Sequence, residues 1–131
     1  MACPEKEAWI KMKLLVCGTR RQGYESIVNE KLDDFYWKWS GLQPKNHKTK
    51  FIVIEGCCPD SADTYAENWA KNRGYEILHF PSTQGNYLKR NIEMVNNCDQ
   101  VIAFWDGFSY GTAQTIAQAV MKNKPVRIVK L

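Results

Sequence analysis

Residues 100–123, QVIAFWDGFSYGTAQTIAQAVMKN, contain the pattern that decides the fold. The run QVIAFW predicts a short buried strand, and TAQTIAQAVMKN has the apolar spacing of a helix. Between them, DGFSYGT consists largely of small and hydroxyl residues. A buried strand that passes through such a loop into a helix is typical of parallel α/β sheets. The loop also brings hydroxyls and free N–H groups to the start of a helix, where an anion can bind.

The same alternation extends along the chain. Short apolar runs predict the other strands, and apolar residues at helical spacing predict the other helices. The predicted strands are 12–18, 51–56, 75–81, 100–105 and 124–131, and the predicted helices are 24–39, 61–74, 86–98 and 112–123. This order predicts a single α/β, Rossmann-like, doubly wound domain over residues 12–131, with a five-stranded, mainly parallel sheet and helices on both faces. Residues 1–11 are interpreted as a loose leader.

Apolar residues at helical spacing also predict which helix faces pack against the sheet. They are Val28, Leu32, Phe35 and Trp39 in the first helix, Ala62, Tyr65, Ala66, Trp69 and Ala70 in the second, and Leu88, Ile92 and Val95 in the third. The segment YWKW adds Trp37 to Trp39. Its aromatic area predicts either a surface for a homodimer or higher homo-oligomer, or further packing on the sheet.

The composition argues against several classes of protein. The 131 residues are 44% hydrophobic and 24% charged, and no apolar run approaches the ~18–20 residues of a membrane span. The charged first residues are unlike a signal peptide, and the odd number of cysteines favours reduced thiols. We therefore expect a cytoplasmic protein without a membrane partner. Much of the net charge of +4 lies in residues 38–50, which could bind nucleic acid but are more simply a solvated connector.

The histidines and cysteines do not predict a metal site, and no cofactor is expected. The sequence has no CxxC pair, and neither His47 nor His79 has other ligands at metal-binding spacing. The pair Cys57-Cys58 has no histidine beside it in the sequence, which argues against a cysteine nucleophile.

Polar or glycine-containing loops follow four of the predicted strands: CGTRRQG, EGCCPDSAD, FPSTQGNYLKRN and WDGFSYGT. Because ligands bind at the carboxyl ends of parallel strands, these loops predict one pocket for an anionic or sugar-bearing ligand. Arg20 offers a guanidinium to an anion, and Asp63 can accept hydrogen bonds from ribose hydroxyls. Ser109 and Thr112 bring hydroxyls to a helix start. Each residue also has a structural explanation, as a surface arginine, a complement to the helix dipole, or a helix cap.

Neither GxxxxGK[ST] nor GxGxxG occurs, so a P-loop NTPase and a standard dinucleotide fold are not indicated.

Four motifs in this order resemble the SLOG superfamily, and most closely its small, stand-alone YspA-like branch. They are LLVCGTR, IEGCCPDSADTYAENWA, RNIEM and AFWDGFSYGT, and the similarity covers residues 13–131. SLOG also includes the LOG phosphoribohydrolases, which activate cytokinins, and the Rossmann domain of DprA. The resemblance implies a Rossmann-like domain that binds nucleotides or nucleotide-derived ligands.

By position, this chain matches the superfamily's Gly-Ser/Thr-Arg turn and its Arg-Asn pair. It also matches the Gly…Gly-Ala-Asp loop, with Ser61 replacing a glycine, and the Gly-Thr phosphate loop, with Ser109 where a glycine is common. The candidate ligand-binding residues, from the loops and from this resemblance, are Gly18, Thr19, Arg20, Gly56, Ser61, Asp63, Arg90, Asn91, Asp106, Gly107, Ser109, Gly111 and Thr112. The aromatic residues that could stack on a base are Tyr87, Trp105, Phe108 and Tyr110.

One departure from the superfamily bears on catalysis. LOG enzymes carry Pro-Gly-Gly-x-Gly-Thr-x-x-Glu, whose glutamate is implicated in cleaving the base–ribose bond, and the matching position here is Thr115. A threonine cannot act as a carboxylate base. The sequence therefore favours a binding module, a sensor or a sequestering domain. The alternative is an N-glycosidic or phosphoribosyl hydrolase, with Arg90 holding phosphate and Asp63 or Asp106 as acid or base. A further alternative is a DprA-like nucleic-acid-binding protein that uses residues 38–50.

Overall fold

Strands and helices alternate along the chain as predicted. The computed structural model describes residues 9–83 and 85–131. Its elements are β1 (Trp9–Gly18), α1 (Glu25–Gly41), β2 (Lys48–Glu55), α2 (Ala62–Arg73), β3 (Glu76–His79), α3 (Tyr87–Asn97), β4 (Gln100–Trp105), α4 (Tyr110–Met121) and β5 (Val126–Lys130). All paired strands run parallel, in the order β3-β2-β1-β4-β5, which confirms a Rossmann-like α/β domain with a five-stranded sheet.

The central strand, β1, begins at Trp9, before the predicted start at residue 12. Of the leader predicted over residues 1–11, residues 1–8 lie outside the described residues and the rest belong to β1. The first part of β1 pairs with β2 and its last part with β4, and the two pairings overlap at Leu14 and Leu15. Both leucines are fully buried, because helices cover the sheet on both faces at this position.

Two layers of helices sandwich the sheet, with α1 and α2 on one face and α3 and α4 on the other. The first face carries an aromatic cluster, in which the Phe51 ring lies 5.5 Å from Trp39 and 5.9 Å from Trp69 between ring centroids. Trp39 thus packs in the core, whereas Trp37 is 72% exposed. β1 and β4 are neighbours in the sheet, but the helices that follow them lie on opposite faces. The strand order therefore reverses between β1 and β4, and ligands bind at such reversal points in sheets of this kind.

The third helix packs differently from the prediction. Leu88, which was expected to face inward, is 48% exposed at the start of α3. The buried side of the helix carries Arg90 and Asn91 in addition to Met94 and Val95. The prediction for Leu88 was wrong because α3 turns a polar pair, and not only its apolar residues, toward the rest of the molecule.

The second helix has well-defined ends. Ser61 caps its first turn, because the Ser61 hydroxyl accepts a hydrogen bond of 3.1 Å from the Asp63 N–H. Gly74 ends it in the left-handed conformation, at φ 76°, which glycine adopts without steric cost. Within residues 9–83 and 85–131, no helix combines the length and the apolar character that crossing a membrane would require.

Candidate functional site

A cavity of about 610 Å³ opens at the carboxyl ends of β1 and β4, where the strand order reverses. This volume lies within the range of roughly 300–1,000 Å³ that is usual for small-molecule sites. Its walls come from the end of β1, the loop after it, and the first turns of α2, α3 and α4. The predicted ligand-binding residues that line it are Gly18, Arg20, Asp63, Arg90, Asn91, Ser109, Gly111 and Thr112.

Arg90 places a buried cation in the cavity wall. It is 8% exposed, and its Nη1 donates to the carbonyl oxygens of Gly56 at 2.6 Å and Phe80 at 3.1 Å. Its Nε donates to Asn91 Oδ1 at 2.9 Å, while the one partner of Nη2 in the part of the chain that the structure describes is the Cys58 sulfur, at 4.0 Å. Among the described residues, Arg90 forms no ion pair with a carboxylate. The guanidinium opposes the burial-induced rise in the pKa of the nearby Asp63 carboxyl group without contacting it directly, so it keeps a nitrogen with which it can bind an anionic ligand.

Two glycines keep their loops close to the cavity because a side chain would not fit. A Cβ on Gly56 would lie 2.5 Å from Arg90 Nη1 and 2.8 Å from Arg90 Cζ. A Cβ on Gly18 would lie 2.8 Å from both Ala62 Cβ and the Phe104 carbonyl oxygen. Gly56 therefore leaves space for the Arg90 guanidinium, whereas Gly18 allows the end of β1 to pack directly against α2.

Asp63 is the buried carboxyl group of the cavity wall. Its side chain accepts a hydrogen bond of 3.1 Å from the Cys58 N–H. Desolvation by burial raises the pKa of Asp63 to about 6, and the nearby Glu55 carboxylate adds to this effect. A carboxyl group that titrates near neutral pH can gain or lose a proton at a bound molecule.

The first turn of α4 faces the cavity without a side-chain cap. Ser109 precedes the helix, but its Oγ lies 3.0 Å from Thr19 Oγ1 and 3.1 Å from Asp106 Oδ1, and it does not accept from the helix. Gly111 and Thr112, in that turn, line the cavity. The N–H groups of a first helical turn lack backbone acceptors and carry the positive end of the helix dipole, so this turn suits a phosphate or carboxylate.

The start of α3 gives the cavity an apolar and aromatic side. Tyr87, Leu88 and Tyr110 line it, and their exposed fractions range from 48% to 80%. The Tyr87 ring also lies 5.9 Å from the Arg90 guanidinium carbon. Of the aromatic residues predicted to stack on a base, Trp105 and Phe108 do not line the cavity, whereas the two tyrosines do.

Five of the predicted ligand-binding residues do not line the cavity. They are Thr19, Gly56, Ser61, Asp106 and Gly107. Asp106 Oδ1 accepts from the N–H groups of Phe108 at 2.8 Å and Ser109 at 2.9 Å, and these bonds lower the pKa of Asp106. Its backbone N–H donates to Thr19 Oγ1 at 3.1 Å. Asp106 thus shapes the loop before α4 and ties it to the loop after β1.

Other cavity residues were missed by the sequence reasoning. They are Cys17, Cys58, Gly85, Leu88, Met94, Gln114 and Thr115. Helical spacing could have identified part of this set, because Met94 lies one turn after Arg90, and Thr115 one turn after Thr112. Thr115, at the position of the LOG glutamate, lines the cavity and donates to the Gly111 carbonyl oxygen at 3.1 Å.

No protein-family model matches this chain, and a search of curated proteins finds no significant match. The resemblance to the SLOG superfamily therefore rests on the motifs alone. The Gly-Thr-Arg turn, the Ala-Asp pair, the Arg-Asn pair and the Gly-Thr loop each contribute at least one residue to the same cavity.

Proposed function

We propose that this chain binds a nucleotide or a nucleotide-derived small molecule, as a sensor or a sequestering module. The observation that carries the proposal is the buried Arg90 guanidinium, which forms no direct ion pair with a carboxylate among the described residues and lines a cavity of about 610 Å³. Strand order supports it as well, because the cavity lies where such sheets bind their ligands.

A phosphate fits best between Arg90 and the first turn of α4. Arg90 has Nη2 left for a ligand, and Gly111 and Thr112 supply N–H groups at the positive end of a helix dipole. Arg20, exposed at the edge of the cavity, adds a second positive charge. Binding there would give the buried guanidinium an anion in direct contact, in addition to the more distant Asp63 carboxyl group.

The rest of a nucleotide suits the other walls. Asp63 can accept hydrogen bonds from ribose hydroxyls, and the Asn91 amide, which donates to Gln114 Oε1 at 3.2 Å, offers polar atoms beside it. Tyr87 and Tyr110 flank the mouth, where a base could stack. The resemblance to SLOG proteins agrees with this class of ligand.

Asp63 also favours a second function, hydrolysis of a nucleotide at its N-glycosidic bond. A carboxyl group with a pKa of about 6 can accept a proton from water as the water attacks C1′, and the leaving base then takes up a proton. Asp106 is a weaker candidate for this task because its Oδ1 is occupied by the loop. The position of the LOG glutamate holds Thr115, so we rank hydrolysis second.

A ligand screen with product analysis separates the two functions. The purified protein is incubated with nucleotides, cyclic nucleotides and ADP-ribose derivatives, and each sample is followed by thermal shift and by chromatography. We expect one compound to stabilise the fold by about 2.7 kcal/mol at a hundred times its Kd, and to be recovered unchanged. Release of free base or ribose phosphate, lost in Asp63→Asn, would instead establish the hydrolase.

Variants on α3 test the phosphate position. Arg90→Ala should abolish the stabilisation, whereas the matched control Lys89→Ala, one residue earlier and exposed, should keep it. Arg90→Lys keeps the positive charge but lacks the planar guanidinium group, and it replaces Arg90→Ala in this test if the alanine variant fails to fold. The proposal is wrong if no compound stabilises the protein, or if one stabilises the Arg90 variants as strongly as the wild type.

A further inference from the structure

Three side chains of different chemistry meet at the ends of β2 and β3, outside the cavity. Glu55 ends β2 and His79 ends β3, and the two residues are paired in the parallel register. Cys57 follows Glu55 in the next loop. His79 Nδ1 lies 2.6 Å from Glu55 Oε1, and Cys57 Sγ lies 3.3 Å from Glu55 Oε1 and 3.5 Å from His79 Nδ1. One sulfur, one nitrogen and one oxygen thus form a small triangle.

We infer that Glu55, Cys57 and His79 form a binding site for a divalent transition-metal ion, Zn²⁺ above all. Thiolate, imidazole and carboxylate are the three ligand types that zinc takes from proteins. Three protein ligands are also the number found in zinc sites that keep a fourth position for water. Cys57 and His79 are exposed enough for water to reach that position.

The separations of the three ligand atoms fit a tetrahedral ion. Zinc at ordinary bond lengths places a sulfur about 3.6 Å from a nitrogen or an oxygen ligand, and the nitrogen about 3.4 Å from the oxygen. The two distances from Cys57 Sγ are within about 0.3 Å of these values. His79 Nδ1 and Glu55 Oε1 are now in hydrogen-bond contact and would separate by about 0.8 Å when an ion replaces the proton between them. The His79 side chain is 44% exposed, so it has room for this movement.

The arrangement differs from a cysteine–histidine–carboxylate relay. In a relay, the imidazole uses one nitrogen for the nucleophile and the other for the carboxylate. Here the same nitrogen, His79 Nδ1, faces both Glu55 and Cys57. All three side chains therefore point to a common centre, which is what metal coordination requires.

The surroundings of the triangle also suit a cation. Glu55 is fully buried and, in the part of the chain that the structure describes, pairs with neither lysine nor arginine. An ion would neutralise this buried carboxylate. The other nitrogen of the imidazole, His79 Nε2, lies 3.9 Å from Glu67 Oε1. Metal-bound histidines commonly donate this nitrogen to a second carboxylate, and Glu67 Oε1, which pairs with Lys71 Nζ at 3.0 Å, would have to approach by about 1 Å to accept it.

Titration of the reduced, chelator-treated protein with Zn²⁺ and Co²⁺, without nucleotide, tests the inference. We expect one ion per chain by calorimetry, and a thiolate-to-cobalt charge-transfer band with the strong visible bands of tetrahedral cobalt. Cys57→Ser and His79→Ala should each raise the Kd for zinc at least about tenfold. The controls are Cys58→Ser, at the adjacent cysteine, and His47→Ala, at the other histidine, which should bind as the wild type does.

Alkylation of the wild-type chain gives a measurement that needs no variant. Bound zinc should slow modification of Cys57 in peptide mapping, while Cys58 should react as it does without zinc. The inference is overturned if cobalt produces no thiolate charge-transfer band, if zinc leaves Cys57 as reactive as before, or if Cys57→Ser binds zinc like the wild type. None of these outcomes depends on nucleotide binding.

Discussion

Protonation of Asp63 should stabilise the folded chain below neutral pH. Asp63 is 6% exposed, and burial raises the pKa of its carboxyl group from an ordinary 3.8 to about 6. Between these two pH values the folded chain holds a proton that the unfolded chain has released. The free energy of unfolding contributed by this group should therefore decrease as the pH rises through the window.

The size of the effect follows from the shift in pKa. One pKa unit corresponds to about 1.4 kcal/mol, so the full contribution of Asp63 is about 3 kcal/mol. It is fully present below about pH 4 and lost above about pH 6. The sign is opposite to that of a carboxylate in a salt bridge, because here the folded-state pKa is the higher one.

Urea unfolding of the wild type and of Asp63→Asn, from about pH 4 to about pH 7.5, measures this contribution. The amide keeps an acceptor for the Cys58 N–H but cannot ionise. The free energy of unfolding of the variant minus that of the wild type should rise by about 3 kcal/mol across the window. A difference that stays flat or falls with pH would refute the reasoning.

Asp106→Asn is the matched control at a second carboxyl group. The N–H groups of Phe108 and Ser109 lower the pKa of Asp106, so its carboxylate stabilises the fold at neutral pH and this contribution is lost as the solution becomes acid. Its difference curve should have the opposite sign and should lie at lower pH. The two variants thus distinguish the effect of burial on the pH dependence of stability from the effect of hydrogen bonds donated by backbone N–H groups.

Two further predictions concern the loops around the cavity. Gly56→Ala places a methyl group 2.5 Å from Arg90 Nη1, so we expect about 1–3 kcal/mol of destabilisation in urea and loss of the stabilisation by nucleotide in thermal shift. An unchanged ligand response would show that Arg90 does not depend on this glycine. Tyr24→Phe removes a buried hydroxyl that donates to the Thr19 carbonyl oxygen and accepts from the Ala62 N–H. Because both groups lose a partner, the free energy of unfolding should fall by about 1–3 kcal/mol, and an unchanged urea midpoint would contradict the role of that hydroxyl.

The sequence predicted the fold because its central strands, β1, β2 and β4, are largely buried on both faces. Apolar runs such as 51–54 allow few other structures once helices alternate with them. The start of β1 was missed for a physical reason. Up to Lys13 this strand pairs with β2 and not with β4, and Lys11 remains exposed. A partly exposed strand end lacks the continuous apolar run by which the rest of β1 was recognised.

The contents of the site were less predictable, because they depend on contacts between distant elements. Arg90 can be buried because the carbonyl oxygens of Gly56 and Phe80 accept hydrogen bonds from its guanidinium. These partners lie outside α3, so the sequence pattern of that helix does not predict them. No other ligand lies at metal-binding spacing from His79 in the sequence, yet β3 pairs with β2 and brings it to Cys57. Strand order and register together would have placed His79 beside Glu55, whereas the contact with Cys57 also depends on the loop after β2.

The cavity takes its walls from both sides of the sheet. Asp63 reaches it from α2, in the helix layer on one face, while Arg90 and Thr112 reach it from α3 and α4, in the layer on the other face. A molecule that binds to all three residues would connect the two helix layers and stabilise both. Amide hydrogen exchange should then slow in α2 as well as in α3 and α4 when the ligand binds, because opening either layer would first require its release.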